Sequence, residues 1–325
     1  MTDCIAAVEH LTPNQRAWRR FKRHRPAMLG AAFLILLLIL VIGWPVLHQP
    51  AIASRMPGSL QALTDLPDLG SDAQFAAPNA RYWCGTDVHG RNLLSRMMSG
   101  ARISLLVGVV GAFVALIIGV TWGAVAGYVG GHWDNLMMRV VDVLYSLPSI
   151  LFVIVLMAAF NAHLRGWLTQ RFGPAAGIYA PMLFLFIGLG AVSWLTMARI
   201  VRGQVLSLRG RQFVDASRSL GASHARILVR HILPNILGVV IVYLTLTVPA
   251  IILYESFLSF LGLGIQPPMA SWGTLISEGA GQINPIRIYW WLLVFPCALL
   301  ITTLLALNFL GDGLRDAYDP RGDRG

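Results

Sequence analysis

Six long apolar stretches dominate this sequence and decide what kind of structure it can form. Each is about 20 residues long, the length that an α-helix needs to cross the hydrocarbon core of a bilayer. Of the 325 residues, 56% are hydrophobic and 12% are charged, against roughly 25% charged in soluble proteins. The sequence therefore predicts an all-α, polytopic membrane protein with six transmembrane helices. We place these helices at 27–47, 103–129, 140–160, 178–198, 236–258 and 289–310.

The positive charges favour one orientation of these helices. The net charge is +10, from 25 Lys and Arg residues against 15 Asp and Glu residues. Loops rich in Lys and Arg are retained in the cytoplasm. With the N-terminus inside, most basic residues fall on the cytoplasmic side: six before the first helix, Arg139, seven between the fourth and fifth helices, and three in the tail. Both termini are therefore predicted to be cytoplasmic, and topology rather than nucleic-acid binding explains the basic charge.

Several chemistries are excluded by missing residues. A phosphate-binding loop needs a lysine after its glycines, and Lys22, the only lysine, stands in RFKRH. Cys4, Cys84 and Cys297 are far apart, and the eight histidines form no HExxH or HxxxH pair, so no zinc site or disulfide framework is indicated. We expect this chain to bind no cofactor or metal, to hydrolyse no ATP itself and to have no catalytic residues.

The hydropathy pattern divides the chain into five parts. These are a cytoplasmic segment 1–26, transmembrane helix 27–47, an external segment 48–102, a core domain 103–310 with a cytoplasmic loop 199–235, and a cytoplasmic tail 311–325.

Two of these parts have alternative interpretations. The first helix precedes Ala51-Ile52-Ala53, which resembles a signal-peptide cleavage site. The long basic segment before this helix and the length of its apolar stretch favour an uncleaved membrane anchor instead. Residues 85–105 place leucines and methionines at helical spacing beside arginines, which indicates an amphipathic interfacial helix; a plain surface connector is the alternative.

Small residues recur at every fourth position of the second predicted helix. This spacing puts them on one face, where a second helix can approach closely. We therefore predict a helix-packing face rather than a ligand site. The residues are Gly111, Ala115, Gly119, Gly123, Gly127 and then Gly131.

Two carboxylates fall within predicted transmembrane helices, where a charge is costly and is often functional. Asp142 follows Arg139 by one turn, so an ion pair between them and a transport role are both open. Glu255 lies near the outer end of the fifth helix and is either interfacial or in contact with substrate.

Prolines within helices either bend them or are simply tolerated. They are Pro148, Pro249 and Pro296.

The loop from Met197 to Pro234 is too long for a simple connector and predicts two short helices. Phe213, Val214 and Leu220 form an apolar side of the first, and Gly221 suits a left-handed cap. Ser223 is a suitable N-cap for the second helix, which Pro234 is expected to end. The result is a helical corner projecting into the cytoplasm.

This corner carries a family resemblance. Asp215-Ala216-Ser217, Gly221 and Leu233-Pro234 resemble the EAA motif of bacterial ABC importer membrane subunits, with Asp for Glu and Ser for the second Ala. The side chain of Asp215 is one methylene shorter than glutamate, so its carboxylate reaches less far towards a partner. The C-type permeases of oligopeptide and dipeptide importers are similar over residues 15–322. Their resemblance rests on 85–96, 101–108, 193–209, 230–235, 255–279 and 310–321.

The resemblance implies a MetI-like permease fold and a transport subunit in the bacterial inner (plasma) membrane. It implies that the chain forms half of a translocation pore with a homologous B-type permease. Two cytoplasmic ABC ATPases, which use ATP and Mg, and an external peptide-binding protein would complete the importer. The ATPase-coupling loop implied is Asp215, Ala216, Ser217, Arg218, Gly221, Ala222, Ser223 and His224. Arg218, His224 and Arg226 are flanking contacts to the ATPase or, alternatively, residues exposed to solvent or lipid headgroups.

Two other classes of membrane protein serve as alternatives. A channel or secondary transporter would work without ATP, but internal repeats and paired broken helices, which are common in secondary transporters, are not evident. A membrane enzyme would need a catalytic constellation, and none is apparent. The segment Gly262 to Trp272 is expected to be a partly buried turn at the outer mouth or a docking surface for the binding protein.

Overall fold

A computed structural model describes residues 13–47, 65–68, 70–267 and 269–318. Within these ranges nearly all of the regular structure is helical, and pairing of extended backbone is limited to two isolated bridges, Thr86–Asn92 and Ile283–Ile288. Cys4, the Ala51-Ile52-Ala53 sequence and the tail from 319 onward lie outside the described residues.

The helices are numbered in chain order through the described ranges. They are α1 (Pro13–Arg23), α2 (Arg25–Leu47), α3 (Leu93–Val129), α4 (Gly131–Ser146), α5 (Ser149–Phe172), α6 (Pro174–Gly177), α7 (Ala180–Arg209), α8 (Gln212–Ser219), α9 (His224–Ile227), α10 (Leu233–Phe260), α11 (Trp272–Gly281) and α12 (Trp291–Tyr318). A π-helical turn, Leu228–Ile232, joins α9 to α10.

Six helical stretches in the described part of the chain are long and apolar enough to cross a membrane, which confirms the predicted fold class. They are α2, α3, α5, Pro174–Arg209, His224–Phe260 and α12. Several run beyond the predicted limits. The last, for example, continues past 310 to Tyr318.

The helix ends define two sides of the bundle. Gly30 of α2 lies against Ala306 of α12, and Gly313 of α12 lies against Ala27, so these two helices are antiparallel. The start of α10 is next to Tyr318 through Gly238. We call the side that holds α1, the start of α2, α8, α9 and the end of α12 the terminal side. The other is the opposite side.

The third predicted helix, 140–160, is wrong in its boundaries. The chain forms two helices, α4 and α5, which are separated at Leu147 and Pro148. Leu147 has an extended backbone (ψ 135°), because a residue before proline is disfavoured in the α region. Pro148 therefore precedes α5 instead of lying within a transmembrane helix, whereas Pro249 and Pro296 do lie inside α10 and α12.

The predicted interfacial helix at 85–105 is also corrected. Residues from Leu93 onward are the first turns of α3, and Met97 and Met98 are buried in the protein. Arg96 is 3% exposed. Met98 lies in a cluster with Trp44 of α2 and Trp272 of α11, and Met97 lies in one with Leu275 of α11. Arg96 pairs with Asp87 from the segment before α3 and with Glu278 of α11.

Helices α3 and α7 run parallel and pack more extensively than any other pair in the described residues. Gly119 lies against Met197 and the Trp194 carbonyl, and Gly127 lies against Val205 and the Arg202 carbonyl. Between them, Gly123 faces the Ala198 carbonyl at backbone contact distance. The absence of side chains at these positions lets the two backbones touch.

The remaining small residues of the stripe also lie against α7, and Gly111 contacts α10 as well. The Gly111 carbonyl faces Gly190, and Ala115 lies in a buried cluster with Trp194 and Ala198. Gly111 lies against the Ile251 side chain of α10, and Ala115 is fully buried. Gly131 is not part of the stripe. It follows the end of α3, has φ +61° and has open space where a Cβ atom would lie.

Substituting Gly123 tests the close packing of α3 on α7. A methyl group there would collide with the Ala198 backbone, so Gly123→Ala is expected to destabilise the fold by roughly 1–3 kcal/mol. Gly203→Ala on α7 is the matched control, because a methyl group there meets nothing within 4 Å. Thermal unfolding in detergent should show a lower midpoint for Gly123→Ala only. Equal midpoints would contradict the packing described here.

Candidate coupling site

The loop between α7 and α10 forms a compact helical corner. Helix α8 ends with Gly221 in the left-handed region (φ +78°), as the sequence predicts. The amide of Ala222 donates to the Ser217 carbonyl at 3.1 Å and closes the end of the helix. The hydroxyl of Ser223 then accepts from the Arg226 amide at 3.4 Å as the predicted N-cap of α9. The corner is thus held by its own caps.

One residue anchors the corner to the bundle. Val214 of α8 is fully buried and packs with Val201 and Val205 of α7 and with Ile227 of α9. The predicted apolar side is only partly correct, because Phe213 is 39% exposed and Leu220 is 88% exposed. Leu220 lies at the tip of the corner and is the most exposed of the large apolar side chains in the corner.

The predicted coupling residues form one accessible surface. Ser217 and Ala222 are half-buried, and the others are exposed: Asp215, Ala216, Arg218, Gly221, Ser223, His224 and Arg226. Asp215 and Arg218 form an exposed ion pair at 3.6 Å, an arrangement that contributes at most about 1 kcal/mol. The Asp215–Arg218 pair therefore contributes little to folding and remains accessible to a partner. We call the exposed residues together with Leu220 the coupling surface.

The corner is tied to the end of α3 by polar contacts. The Tyr128 hydroxyl and His224 Nδ1 are 2.9 Å apart, and the Arg209 guanidinium donates to the Val129 carbonyl at 3.3 Å. A displacement of α8 and α9 would therefore act on α3 as well as on α7.

Pro234 does not end the second short helix, contrary to the sequence-based expectation. The helical backbone continues from His224 to Phe260 through the π-helical turn. Pro234 lies in the first turn of α10, where a missing amide hydrogen bond is tolerated. A π-helical turn is a known way to shift the hydrogen-bond register inside a helix. The corner is consequently continuous with a membrane-spanning helix.

Two arginines of α7 connect it to α4. Arg202 binds Asp134 through two hydrogen bonds of 2.5 and 2.7 Å, and the carboxylate is 8% exposed. Arg199 binds Asp142 at 2.8 Å and lies over the Tyr145 ring at 4.0 Å. The expected partner of Asp142, Arg139, is replaced by Arg199, because helix packing brings a residue from another helix to it. We call these two pairs the α4–α7 clamp.

Glu255 lies inside the bundle near the end of α10. It is fully buried in α10 and accepts hydrogen bonds from Ser104 of α3 at 2.9 Å and from Ser259 at 2.7 Å. The Ser104 hydroxyl also accepts the Trp272 amide at the start of α11. Glu255 thus joins three helices near the opposite side and presents no surface to a passing solute.

A buried charge network near the opposite side was missed by the sequence analysis. Arg96 donates to Asp87 at 2.9 Å and to both carboxylate oxygens of Glu278, and Arg91 donates to Asp87 at 2.6 Å. The sequence signal is the spacing of Asp87, Arg91 and Arg96, but the partner Glu278 lies 182 residues away from Arg96. This network fastens the segment before α3 to α11.

The segment from Gly262 to Trp272 is partly buried, as expected. Ile265 and Trp272 are almost inaccessible, and the Trp272 indole donates to the Met97 carbonyl at 3.3 Å. Ser271 and Thr274 form a capping box at the start of α11.

In the described residues, no group of three or more His, Cys, Asp or Glu side chains is arranged to hold a metal ion.

Cys84 offers a check on the packing near the opposite side. Burial raises the pKa of its thiol to about 11, and because the thiolate is the reacting species, maleimide labelling at pH 7.5 should be roughly a hundredfold slower than for a free thiol. We expect the rate to increase about tenfold per pH unit up to that pKa. The test uses a variant that keeps only Cys84. Ala80→Cys in a cysteine-free background is the exposed control, and equal rates at pH 7.5 would contradict the burial of Cys84.

Comparisons with known proteins agree with this fold. Residues 119–324 match the family model for the binding-protein-dependent transport system inner membrane component, and residues 12–63 match the N-terminal transmembrane domain of oligopeptide transport permease C. A solved structure of the MetNI methionine ABC transporter in inward facing conformations superposes with a TM-score of 0.51 at 21% identity, and the match covers 69% of this chain and 97% of that one. This likeness shows the fold.

Curated relatives are similar over nearly the whole chain. The oligopeptide transport system permease protein OppC of Escherichia coli K12 is 46% identical over 307 residues, which cover 94% of this chain and 91% of OppC. The dipeptide transport system permease protein DppC of Bacillus subtilis is 42% identical over 311 residues, 96% of this chain and 87% of DppC. The chain is a multi-pass membrane protein that belongs to the family of binding-protein-dependent transport permeases, and its relatives are peptide permease subunits.

Proposed function

We propose that this chain is the permease subunit of an ATP-driven importer for oligopeptides or dipeptides. It forms half of the translocation pore beside a homologous B-type permease and receives peptide from an external binding protein. Two cytoplasmic ATPase subunits use ATP and Mg to drive the importer, and one of them binds the coupling surface. The observation that carries the proposal is the exposed corner with Leu220 at its tip, which is fixed to the bundle by the buried Val214.

The proposed orientation places the terminal side in the cytoplasm. Basic residues are concentrated in α1, at the end of α7 and in the corner, all of which lie on that side. Since positively charged segments are retained inside, the coupling surface would face the cytoplasmic ATPases, and the Arg96 network and α11 would face the binding protein.

A helix-in-groove contact explains how an exposed corner would engage an ATPase. Such contacts use an apolar side chain that enters a groove and charged residues that fix its direction. Leu220 would supply the apolar contact, and Asp215 and Arg218 lie within two turns of it. Because the corner folds through its own caps, little ordering would be required when the partner binds.

Three routes would carry movement of the corner into the membrane. The first is the chain connection and the Val214 contacts to α7, and the second is the unbroken helix into α10. The third is the α4–α7 clamp, which would make α4 follow α7. ATP binding and hydrolysis can shift the pore between two states only if the ATPases bind the corner differently in each state.

A pull-down with an activity assay tests the proposed function. The tagged chain, purified in mild detergent, is expected to bring down a second permease and ATPase subunits. Peptide-loaded binding protein should then stimulate ATP hydrolysis. A chain that stays folded and transports solute without any associated ATPase would contradict the proposal and would favour a channel or secondary transporter.

Substituting Gly221 tests the geometry of the corner. At φ +78° a β-branched residue is strained by about 1–2 kcal/mol, so Gly221→Val should distort the corner and lower peptide uptake per ATP hydrolysed by about tenfold. Gly210→Val is the control, because Gly210 has φ −92° and a Cβ added at either glycine would meet no atom within 4 Å. A fully assembled Gly221→Val importer with normal uptake would contradict the coupling role.

The α4–α7 clamp can be tested by exchanging its charges. Asp134→Asn leaves the half-buried Arg202 without its carboxylate, and we expect uptake per ATP to fall several-fold with a stability loss of roughly 1–3 kcal/mol. The exchange Asp134→Arg with Arg202→Asp should restore part of the uptake. Asp142→Asn is the control, because its pair with Arg199 is largely exposed and contributes little. Identical effects of Asp134→Asn and Asp142→Asn would exclude a special role for the buried pair.

A further inference from the structure

Helix α1 is strongly basic. Its eleven residues, PNQRAWRRFKR, include five basic residues and no acidic one, and Arg25 follows at the start of α2. A helix of this length is marginal in water even with a favourable sequence. Contacts with other parts of the protein or with its surroundings are therefore needed to stabilise α1.

Packing on the bundle supplies part of that stabilisation. Ala17 and Phe21 are buried in a cluster with Ala27 of α2 and Ala317 of α12. A methyl group on Gly313 of α12 would lie 3.1 Å from the Phe21 ring. His24, which follows α1, pairs with Asp316 of α12 at 3.7 Å. These contacts hold α1 against the ends of two helices, α2 and α12, that are long and apolar enough to cross a membrane. We therefore expect α1 to lie at the depth of the lipid headgroups.

The remaining surface of α1 is basic and aromatic. Trp18 is 56% exposed, and the Lys22 ammonium lies 5.3 Å from the centre of its ring. Lys22, Arg23 and Arg25 are exposed. Tryptophan is enriched at membrane–water interfaces, and a basic helix with an exposed tryptophan is typical of a segment that lies on an anionic membrane surface.

We propose that α1 is a binding surface for anionic phospholipids of the leaflet on the terminal side. Trp18 inserts among the headgroups, and Lys22, Arg23 and Arg25 bind lipid phosphates. Because Ala17 and Phe21 are buried against the bundle, they hold the helix and its charges next to the leaflet. A basic residue near an anionic surface contributes about a fivefold factor to binding, so three of them contribute roughly a hundredfold. The proposal does not depend on which solute the protein transports.

Hydrogen exchange of the full chain in nanodiscs tests this proposal. The amides of residues 14–25 are followed in discs of phosphatidylcholine alone and in discs with about one third phosphatidylglycerol. We expect at least a tenfold slower exchange in the anionic discs, with the difference reduced at 0.5 M salt, where charges are screened over about 4 Å. The variant Lys22→Gln, Arg23→Gln, Arg25→Gln should lose the difference.

A matched variant separates lipid binding from a general effect of charge. Arg81→Gln, Arg171→Gln, Arg287→Gln removes three exposed arginines on the opposite side and should keep the slow exchange of α1 in anionic discs. Equal exchange in both lipids for the unmodified chain would overturn the proposal and would assign α1 to packing on α12 alone. Protection that requires added ATPase subunits, and not phosphatidylglycerol, would also overturn it and would point to an acidic protein surface.

Discussion

The close contact between α3 and α7 is the constraint on which the rest of the structure depends. Lipid provides no hydrophobic drive that holds two helices together, so their association has to come from backbone packing. Gly119, Gly123 and Gly127 provide it by leaving one face of α3 bare against α7. Once α7 is fixed in this way, its last turns determine where the corner projects and which residues of α4 meet Arg199 and Arg202.

Polar clusters then secure the bundle near its two sides. Near the terminal side, Arg202 and Asp134 form a bidentate pair that is strong because both groups are charged and well aligned. Near the opposite side, Glu255 is surrounded by serine hydroxyls and Arg96 by carboxylates. A buried charge without such partners would be costly. These polar clusters therefore determine which helices pack together, and they also stabilise that packing.

The sequence predicts those features that depend on periodicity or on local capping. Hydropathy gives the number of membrane-spanning helices and locates all of them except the third, whose boundaries it misplaces. The four-residue repeat of small residues identifies the face of α3 that packs on α7. Gly221 and Ser223 are recognisable because a left-handed cap and an N-cap depend on neighbouring residues alone. These features include the shape of the candidate coupling site.

The features that the sequence does not predict depend on distant partners. Asp142 meets Arg199 from 57 residues away, and Glu255 meets Ser104 from 151 residues away. No local pattern distinguishes these partners from nearer ones such as Arg139. Pro148 and Pro234 illustrate a related problem, since a proline within an apolar run is compatible with a bend, an end or a beginning of a helix. Only the surrounding packing decides between these outcomes.

The central claim is that the exposed tip of the corner contacts an ATPase, and site-specific photocrosslinking in the assembled transporter tests it most directly. A photoreactive amino acid at Leu220 is compared with one at Val229, which is 63% exposed in the π-helical turn between α9 and α10. We expect the residue at 220 to crosslink to an ATPase subunit and the crosslink yield to change when ATP is added. A crosslink from 229 but none from 220 in an active complex would contradict it.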